Sequence, residues 1–109
     1  MPIRIYTSRL PTGINGMALF PFILINEDLI GTTKEIIVRN HESIHYQQQK
    51  ELLVLPFYVI YLYEFLVNIN KGLNRRKAYR QISFEKEASA NQNNLNYLKT
   101  RKKFTSFNL

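Results

Sequence analysis

The spacing of hydrophobic and polar positions predicts strands in the N-terminal part of the chain and helices in the rest. Residues 3–6 alternate apolar and polar side chains, as in a short half-buried strand. The apolar run from Met17 to Ile25 contains Pro21, which favours one or two strand pieces because proline belongs at a sheet edge or a bulge. Turn-forming residues separate these segments, so we expect a small antiparallel sheet.

A long helix is predicted to begin at Thr32, because Thr32 and Glu35 form a capping box. In such a box the threonine hydroxyl accepts a hydrogen bond from the first turn and the glutamate reaches back. Six side chains then recur on one stripe at helical spacing: Ile37, His41, Ile44, His45, Gln48 and Leu52. No glycine or loop composition follows, so we expect this helix to continue to about Leu55.

The segment from Leu52 to Val67 is the most apolar part of the chain. It contains Pro56 and Glu64 and is shorter than the ~20 apolar residues that cross a bilayer, so we expect a core helix or at most one at a membrane surface. After a loop over residues 68–74, a last helix is predicted from Lys77 to Arg101. Its inward stripe has six members: Phe84, Glu87, Ala88, Asn91, Leu95 and Leu98.

Length and composition narrow the class of protein. A chain of 109 residues is expected to form a single domain over residues 1–109 with a modest core. The absence of cysteine excludes disulfides and thiolate metal sites. The start of the chain lacks the basic and long apolar segments of a secretory signal, so we expect a cytoplasmic protein, peripheral to the membrane if residues 52–67 bind a lipid surface.

The formal net charge of +7 is concentrated late in the chain. One basic cluster lies between Lys71 and Arg80, and another lies between Lys99 and Lys103. Such clusters are typical of solvated loops and of helix ends, where cations favour the negative end of the helix dipole. We therefore do not expect nucleic-acid binding to be the main function.

The motif His41-Glu42-Ser43-Ile44-His45 contains the only two histidines and reads as the zinc signature H-E-x-x-H. Residues four apart share a helix face, so both imidazoles can hold one Zn²⁺ ion. Glu42 lies about 100° round the helix, where it can reach water beside the metal as a general base. The alternative is a pair of histidines that merely caps the helix or lines the core.

Glu64 is one candidate for a third metal ligand. It follows His45 by 19 positions, a spacing familiar from two-helix zinc sites, and a carboxylate in so apolar a helix requires a partner. A first helix that continues to Leu55 would however carry Glu64 away from the metal. Pairing with Arg76 or Arg80 is then expected instead.

Glu87 is the favoured third ligand on this reasoning. It shares its stripe with apolar residues of the last predicted helix and should point inward, whereas Glu85 shares a face with Ser89 and Gln92. Ala88 and Ala90 are small enough to let this helix approach the zinc helix closely.

These residues carry a resemblance to a known family. Residues 40–45, followed by Gln48 and Gln49 and later by Glu87 to Asn91, resemble the gluzincin metallopeptidases, whose pattern is H-E-x-x-H with a later E-x-x-A-D. Residues 40–65 and 78–88 also look like short bacterial proteins of gluzincin type. The resemblance covers roughly the C-terminal two thirds and implies that zinc is bound by His41, His45 and Glu87, with Glu42 as the base.

The resemblance also raises two questions about supporting residues. The position of Asn91 is usually aspartate in gluzincins, where it orients a ligand histidine; asparagine can accept the same hydrogen bond without the charge. Peptide hydrolysis further requires a group that stabilises the oxyanion. There is no third histidine, so Tyr79 or Arg80 is the candidate for that role.

We therefore expect a minimal zincin-like α+β domain, a small antiparallel sheet followed by about three helices. It would bind Zn²⁺ and hydrolyse a peptide or protein substrate. The alternative is a non-catalytic zinc-binding interaction protein or a membrane-associated protein.

Overall fold

The computed structural model describes residues 2–108 and begins with a three-stranded sheet. The strands are β1 (Ile3–Thr7), β2 (Gly16–Leu19) and β3 (Phe22–Asn26). The α-helices of the described residues are α1 (Thr33–Glu51), α2 (Leu55–Asn70), α3 (Arg75–Arg80), α4 (Ser83–Asn91) and α5 (Tyr97–Thr100). Short 3₁₀ turns lie at Glu27–Leu29 and Thr105–Asn108. The predicted small α+β fold is confirmed, with more and shorter helices than expected.

The sheet is mixed rather than wholly antiparallel. Its order is β1-β3-β2, and the central strand β3 runs antiparallel to β2 but parallel to β1. The two residues Phe20 and Pro21 connect β2 to β3 as a tight hairpin, which makes that pair antiparallel. The longer connection after Thr7 carries the chain to the far edge, so β2 is an edge strand.

Helix α1 covers one face of the sheet. Ile23 and Ile25 on β3 are fully buried against Tyr46 of α1, and partly buried side chains, Tyr6, Leu29 and Val38, pack around them. Phe22, on the other face of the same strand, is exposed because successive strand residues point to opposite sides. Helix α1, which carries both histidines, is therefore held against the sheet by these contacts.

The predicted capping box forms at the start of α1. The Thr32 hydroxyl accepts a hydrogen bond from the Glu35 amide at 3.2 Å. The Glu35 carboxylate accepts from the Gly31 amide at 2.9 Å and from the Tyr6 hydroxyl at 2.6 Å, so the cap is also tied to β1. The first turn of α1 is thus held from both sides.

Helix α1 ends at Glu51, before the predicted limit of about Leu55. Leu53 and Val54 have positive φ values of 59° and 65°, an unfavourable conformation for residues with a Cβ, and they redirect the chain by 113° into α2. A second apolar cluster forms where α2 meets α4, with Phe57, Ile82 and Phe84 buried together. Over residues 2–108 no single helix has the length and apolar composition to cross a bilayer. Helices α1 and α2 reach that length and composition only when they are taken together, and they are bent relative to each other.

The last predicted helix is three short helices in the structure. Ile82 is extended, with φ −62° and ψ 132°, and separates α3 from α4. The Glu64 carboxylate accepts hydrogen bonds from the Ser83 amide at 2.7 Å and the Ser83 hydroxyl at 2.8 Å, so it caps α4. Glu64 therefore accepts hydrogen bonds from the first residue of α4 and does not pair with Arg76 or Arg80 as predicted. Because α4 begins at Ser83 and not earlier, the face that it turns toward α1 differs from the predicted one.

Candidate metal centre

The two histidines of α1 converge with Glu85 of α4. The Nε2 atoms of His41 and His45 are 3.1 Å apart. One carboxylate oxygen of Glu85, Oε1, lies 3.3 Å from the His41 Nε2 and 3.0 Å from the His45 Nε2. His45 and Glu85 are buried, at 5% and 4% exposure, and His41 is partly buried.

These distances match the spacing that zinc requires of its ligands. Tetrahedral zinc with bonds of about 2.0–2.1 Å places its ligand atoms about 3.3 Å apart. The three pairs of ligand atoms in the cluster, from His41, His45 and Glu85, are separated by 3.1, 3.3 and 3.0 Å. Small outward movements of the side chains would admit the ion, so the residues present fit zinc.

Hydrogen bonds to the other ring nitrogens define which histidine atoms face the cluster. The Nδ1 atom of His41 is 2.7 Å from the Gln92 Oε1, and that of His45 is 2.8 Å from the Gln48 Oε1. A carboxamide oxygen only accepts, so each Nδ1 must carry the proton in these bonds. In the neutral rings both Nε2 lone pairs then face each other and the Glu85 carboxylate.

The orientation of the Gln48 amide is itself fixed by its surroundings. Its Nε2 donates to the Phe84 carbonyl at 3.1 Å and to the Glu87 carboxylate at 3.0 Å, and both are acceptors only. The Oε1 must therefore be the atom that faces His45. When both rings are neutral, three acceptors converge at the cluster, which is the arrangement that a cation satisfies.

The cluster attracts positive charge. Burial lowers the pKa of His45, but the Glu85 carboxylate outweighs this effect and raises that pKa to about 9. Burial would raise the pKa of Glu85, yet His45 and His41 hold it far below its usual range. A proton or a metal ion can supply this charge, and only the metal can be bonded by all three acceptors at once.

Glu42 lies beside the cluster on the next position of α1. Its side chain is buried against β2, where a Cβ at Gly16 would come within 3.0 Å of the Glu42 Cγ. Glycine at position 16 therefore lets the strand approach the carboxylate. Burial raises the pKa of Glu42, while His45 and His41 oppose the rise. A carboxylate with a raised pKa is better matched to proton transfer near neutral pH.

The cluster opens into a cleft of about 270 Å³. Residues 16–19 of β2 form one wall, and Glu42, His45 and Glu85 contribute to the lining. Aromatic side chains provide the remaining wall: Phe57, Tyr58, Tyr61 and Tyr79. Two candidate metal ligands, the candidate base and an edge strand therefore meet in one cavity.

Of the two predicted oxyanion groups, Tyr79 lies in this cleft and Arg80 does not. Burial and the nearby Glu85 carboxylate raise the pKa of Tyr79, so its hydroxyl stays a donor. Arg80 lines a separate, basic surface pocket with Lys77 and Lys86. Tyr61, which was not among the predicted site residues, donates to the Glu85 Oε2 at 2.8 Å and holds that carboxylate in place.

The structure does not bring Glu87, the favoured third ligand, to the histidines. Glu87 is fully buried on the other side of α4, where it accepts hydrogen bonds from Arg101 and from the Tyr97 hydroxyl, the latter at 2.7 Å. It reaches His45 only through Gln48. Glu85 lies at the cluster instead, because the extended residue Ile82 interrupts the predicted helix and changes the orientation of α4.

Asn91 is also not beside a histidine. Its side chain donates to the Glu87 carbonyl at 2.8 Å within α4. The hydrogen-bond partners of the two imidazoles are Gln48 and Gln92 instead. The shared face of Glu85 and Gln92, seven positions apart, was the available signal in the sequence, since that spacing is two helical turns.

Comparison of the chain with family models, with curated proteins and with solved structures found no match.

Proposed function

We propose that this protein is a zinc-dependent metallopeptidase of gluzincin type in which His41, His45 and Glu85 hold the metal. The observation that carries the proposal is the convergence of three acceptors beside Glu42, two of them buried and one partly buried, with both histidines held in the tautomer that leaves Nε2 free. Carboxylate and imidazole ligands in a set of three are typical of catalytic zinc sites such as those with two histidines and one glutamate.

The number of ligands favours a catalytic over a structural metal. Within residues 2–108 the cluster of potential ligands comprises His41, His45 and Glu85. Structural zinc sites are almost always closed by four protein ligands, whereas catalytic sites keep one position open. The cleft beside the cluster gives that position access to a substrate.

When bound, zinc supplies Lewis acidity, which activates water near neutral pH and polarises a substrate carbonyl. Glu42 accepts the proton of the attacking water at its carboxylate and then delivers it to the leaving amine. Burial favours this role, because it raises the pKa of Glu42 toward the working pH. Tyr61 keeps Glu85 oriented toward the histidines throughout.

Tyr79 is the proposed donor to the developing oxyanion. Its hydroxyl lies in the cleft near Glu85 and stays protonated because its pKa is raised. A donor aimed at the charge that develops during reaction contributes on the order of 10²-fold to the rate. Arg80 lines a separate pocket and does not face the cleft in which this donor would act.

An extended peptide fits the edge strand that walls the cleft. The Gln49 side chain donates to the Ala18 carbonyl at 2.7 Å and accepts from the Phe20 amide at 2.9 Å, as a neighbouring strand would. This contact occupies the end of β2 that is remote from Gly16. The remaining edge, at Gly16 and Met17, lies beside Glu42, so strand addition there would place a peptide bond near the base.

Metal analysis tests the site. Protein purified without chelator or added metal should contain about one zinc per chain, and the His41→Ala, His45→Ala double variant should contain none. Stoichiometric zinc in that double variant would refute the site. Circular dichroism of both proteins would establish that they share the same fold.

A peptide library tests the chemistry. Glu42→Gln should retain zinc and fold but hydrolyse a susceptible peptide ~10²-fold more slowly, since a positioned base contributes about that much. Equal turnover by wild type and Glu42→Gln would exclude Glu42 as the base. Absence of turnover at full zinc occupancy would instead favour the non-catalytic zinc-binding interaction protein.

A further inference from the structure

The outward face of α2 exposes an uninterrupted row of apolar side chains. We call this row the outer stripe, and it consists of Leu55, Val59, Leu62, Tyr63, Leu66 and Ile69. Five of these positions follow one another at alternating spacings of four and three, so they share one helix face. The opposite face of α2 packs Phe57 into the core, so the outer stripe is not needed to hold the helix in place.

No charged side chain interrupts the outer stripe. The one charged residue of α2, Glu64, is partly buried and caps α4. Monomeric soluble proteins rarely leave a large contiguous apolar patch open to water, and such patches mark interaction sites. The face of α2 therefore requires an apolar partner.

A basic cluster begins where the outer stripe ends. Residues 65–84 contain five basic residues and no acidic residue. The cluster comprises Lys71, Arg75, Arg76, Lys77 and Arg80, all exposed. Asn68 of α2 donates to the Ala78 carbonyl at 3.0 Å, which fixes α3 and its cations against α2.

We propose that the outer stripe and the basic cluster together bind the surface of an anionic lipid bilayer, with α2 lying in the plane of the interface. An apolar helix face inserts among the lipid headgroups and acyl chains, and clustered cations attract the anionic headgroups. Exposed Tyr63 suits this depth, because its ring is apolar and its hydroxyl can remain hydrated. This inference is independent of the metal centre.

Charge favours the bilayer over a second copy of the chain. Each copy carries a formal net charge of +7, so two copies repel each other, whereas an anionic bilayer attracts the protein. Helices that pair through such a spacing usually flank the apolar row with opposite charges. The exposed positions of α2 offer none.

Vesicle co-sedimentation of the full chain tests the proposal. Binding to vesicles that contain phosphatidylglycerol should exceed binding to pure phosphatidylcholine by about tenfold or more and should weaken as salt is added. Leu62→Ser with Leu66→Ser should lower binding to the anionic vesicles by about tenfold or more. Leu62 and Leu66 are 57% and 55% exposed, so we expect the variant to fold.

Two matched variants serve as controls. Ile30 and Leu95 are exposed to the same extent, 59% and 57%, but lie outside the outer stripe, so the double change to serine there should leave binding within about twofold. Replacing Lys71, Arg75 and Arg76 with glutamine should remove most of the anionic preference. The same change at three other exposed lysines should preserve it: Lys99, Lys102 and Lys103.

Three outcomes would overturn the proposal. The first is no binding to anionic vesicles. The second is an equal loss of binding in the stripe variant and its matched control. The third is a dimer in sedimentation velocity that the Leu62→Ser, Leu66→Ser variant dissociates, which would assign the outer stripe to a second copy.

Discussion

Two buried carboxylates on α4, only two positions apart, have opposite surroundings. Glu87 faces Arg101, which also pairs with Glu51 at 2.8 Å, and it accepts further hydrogen bonds from Tyr97 and Gln48. Glu85 faces the Nε2 atoms of two histidines whose protons are held on the other side of each ring. The first carboxylate is paired with an arginine that is always charged, and the second is paired only with histidines, which carry a charge only when protonated.

This difference separates a structural ion pair from a candidate metal site. A buried charge is tolerated when a counter-charge and hydrogen bonds compensate for its lost hydration. The Arg101 guanidinium provides this compensation for Glu87 and Glu51, and it anchors the C-terminal segment to α1. Around Glu85 the nearest groups are two imidazoles and a tyrosine, so the compensating charge is supplied by a proton on His45 or by a metal ion.

Arg101→Gln should give the largest effect on stability. It would leave the buried carboxylates of Glu51 and Glu87 without their cation, and breaking a buried pair in this way costs about 3–5 kcal/mol of unfolding free energy. Urea denaturation would measure the loss. The matched change at exposed Arg80 should cost less than about 0.5 kcal/mol, and an equal loss at Arg80 would contradict this account of the ion pair.

Glu85→Gln should have the largest effect on metal binding among the carboxylate changes. Changes to groups behind the ligands typically cost 10–100-fold in affinity, so loss of a charged ligand should exceed ~100-fold. Competition with a zinc chelator would measure it. Glu87→Gln should lower zinc affinity far less, and the reverse order would restore Glu87 as the third ligand.

Gln48→Ala should have an intermediate effect on zinc affinity. It tests the link between the two carboxylates, because Gln48 contacts both His45 and Glu87. Gln48 holds the His45 Nδ1 and is oriented by Glu87, so its loss should lower zinc affinity by about 10-fold or more. Gln92→Ala is the matched change, because Gln92 holds the His41 Nδ1. Chelator competition at constant pH would compare them, and unchanged affinity in both variants would contradict the role assigned to these amides.

The parts of the fold that depend on neighbours in sequence could be predicted. The capping box at Thr32 and Glu35 defines the start of α1, and the four-residue spacing of His41 and His45 places both rings on one face. The strands of the first 26 residues follow from turn chemistry and apolar runs. The parallel pairing of β1 with β3 could not be predicted this way, because it depends on the path of the connection between them.

The position of Glu85, the proposed third ligand, depends on a contact between residues that are distant in sequence. Ile82 interrupts the predicted helix, and the start of α4 is fixed by Glu64, 19 positions earlier. The prediction from helical periodicity also assumes that only one face of this helix is buried. Helix α4 packs against α1, α2 and the C-terminal 3₁₀ turn, so Glu85 and Glu87 are both buried although they point in different directions.

The smallest expected effect is a dependence of stability on pH that belongs to Glu87. Burial would raise the pKa of Glu87, but hydrogen bonds from Arg101, Tyr97 and Gln48 hold it below the usual range. A depressed pKa in the folded state stabilises the protein above the unfolded pKa of about 4.3, and this stabilisation is lost as the pH falls through the folded pKa. The unfolding free energy should therefore decrease below about pH 4.5.

Glu87→Gln should remove part of that decrease, because glutamine does not titrate. Urea denaturation between about pH 3 and 7 would compare the slopes, with metal removed so that pH-dependent zinc binding does not contribute; Glu85 and the histidines titrate in both proteins and contribute equally to the two slopes. Glu27→Gln is the control, since Glu27 is an exposed carboxylate in the 3₁₀ turn before α1, and it should retain the wild-type slope. If the unfolding free energy of Glu87→Gln depended on pH as steeply as that of wild type, Arg101 would not be what holds Glu87 ionised. The contrast between Glu85 and Glu87 would then not be a difference in charge compensation.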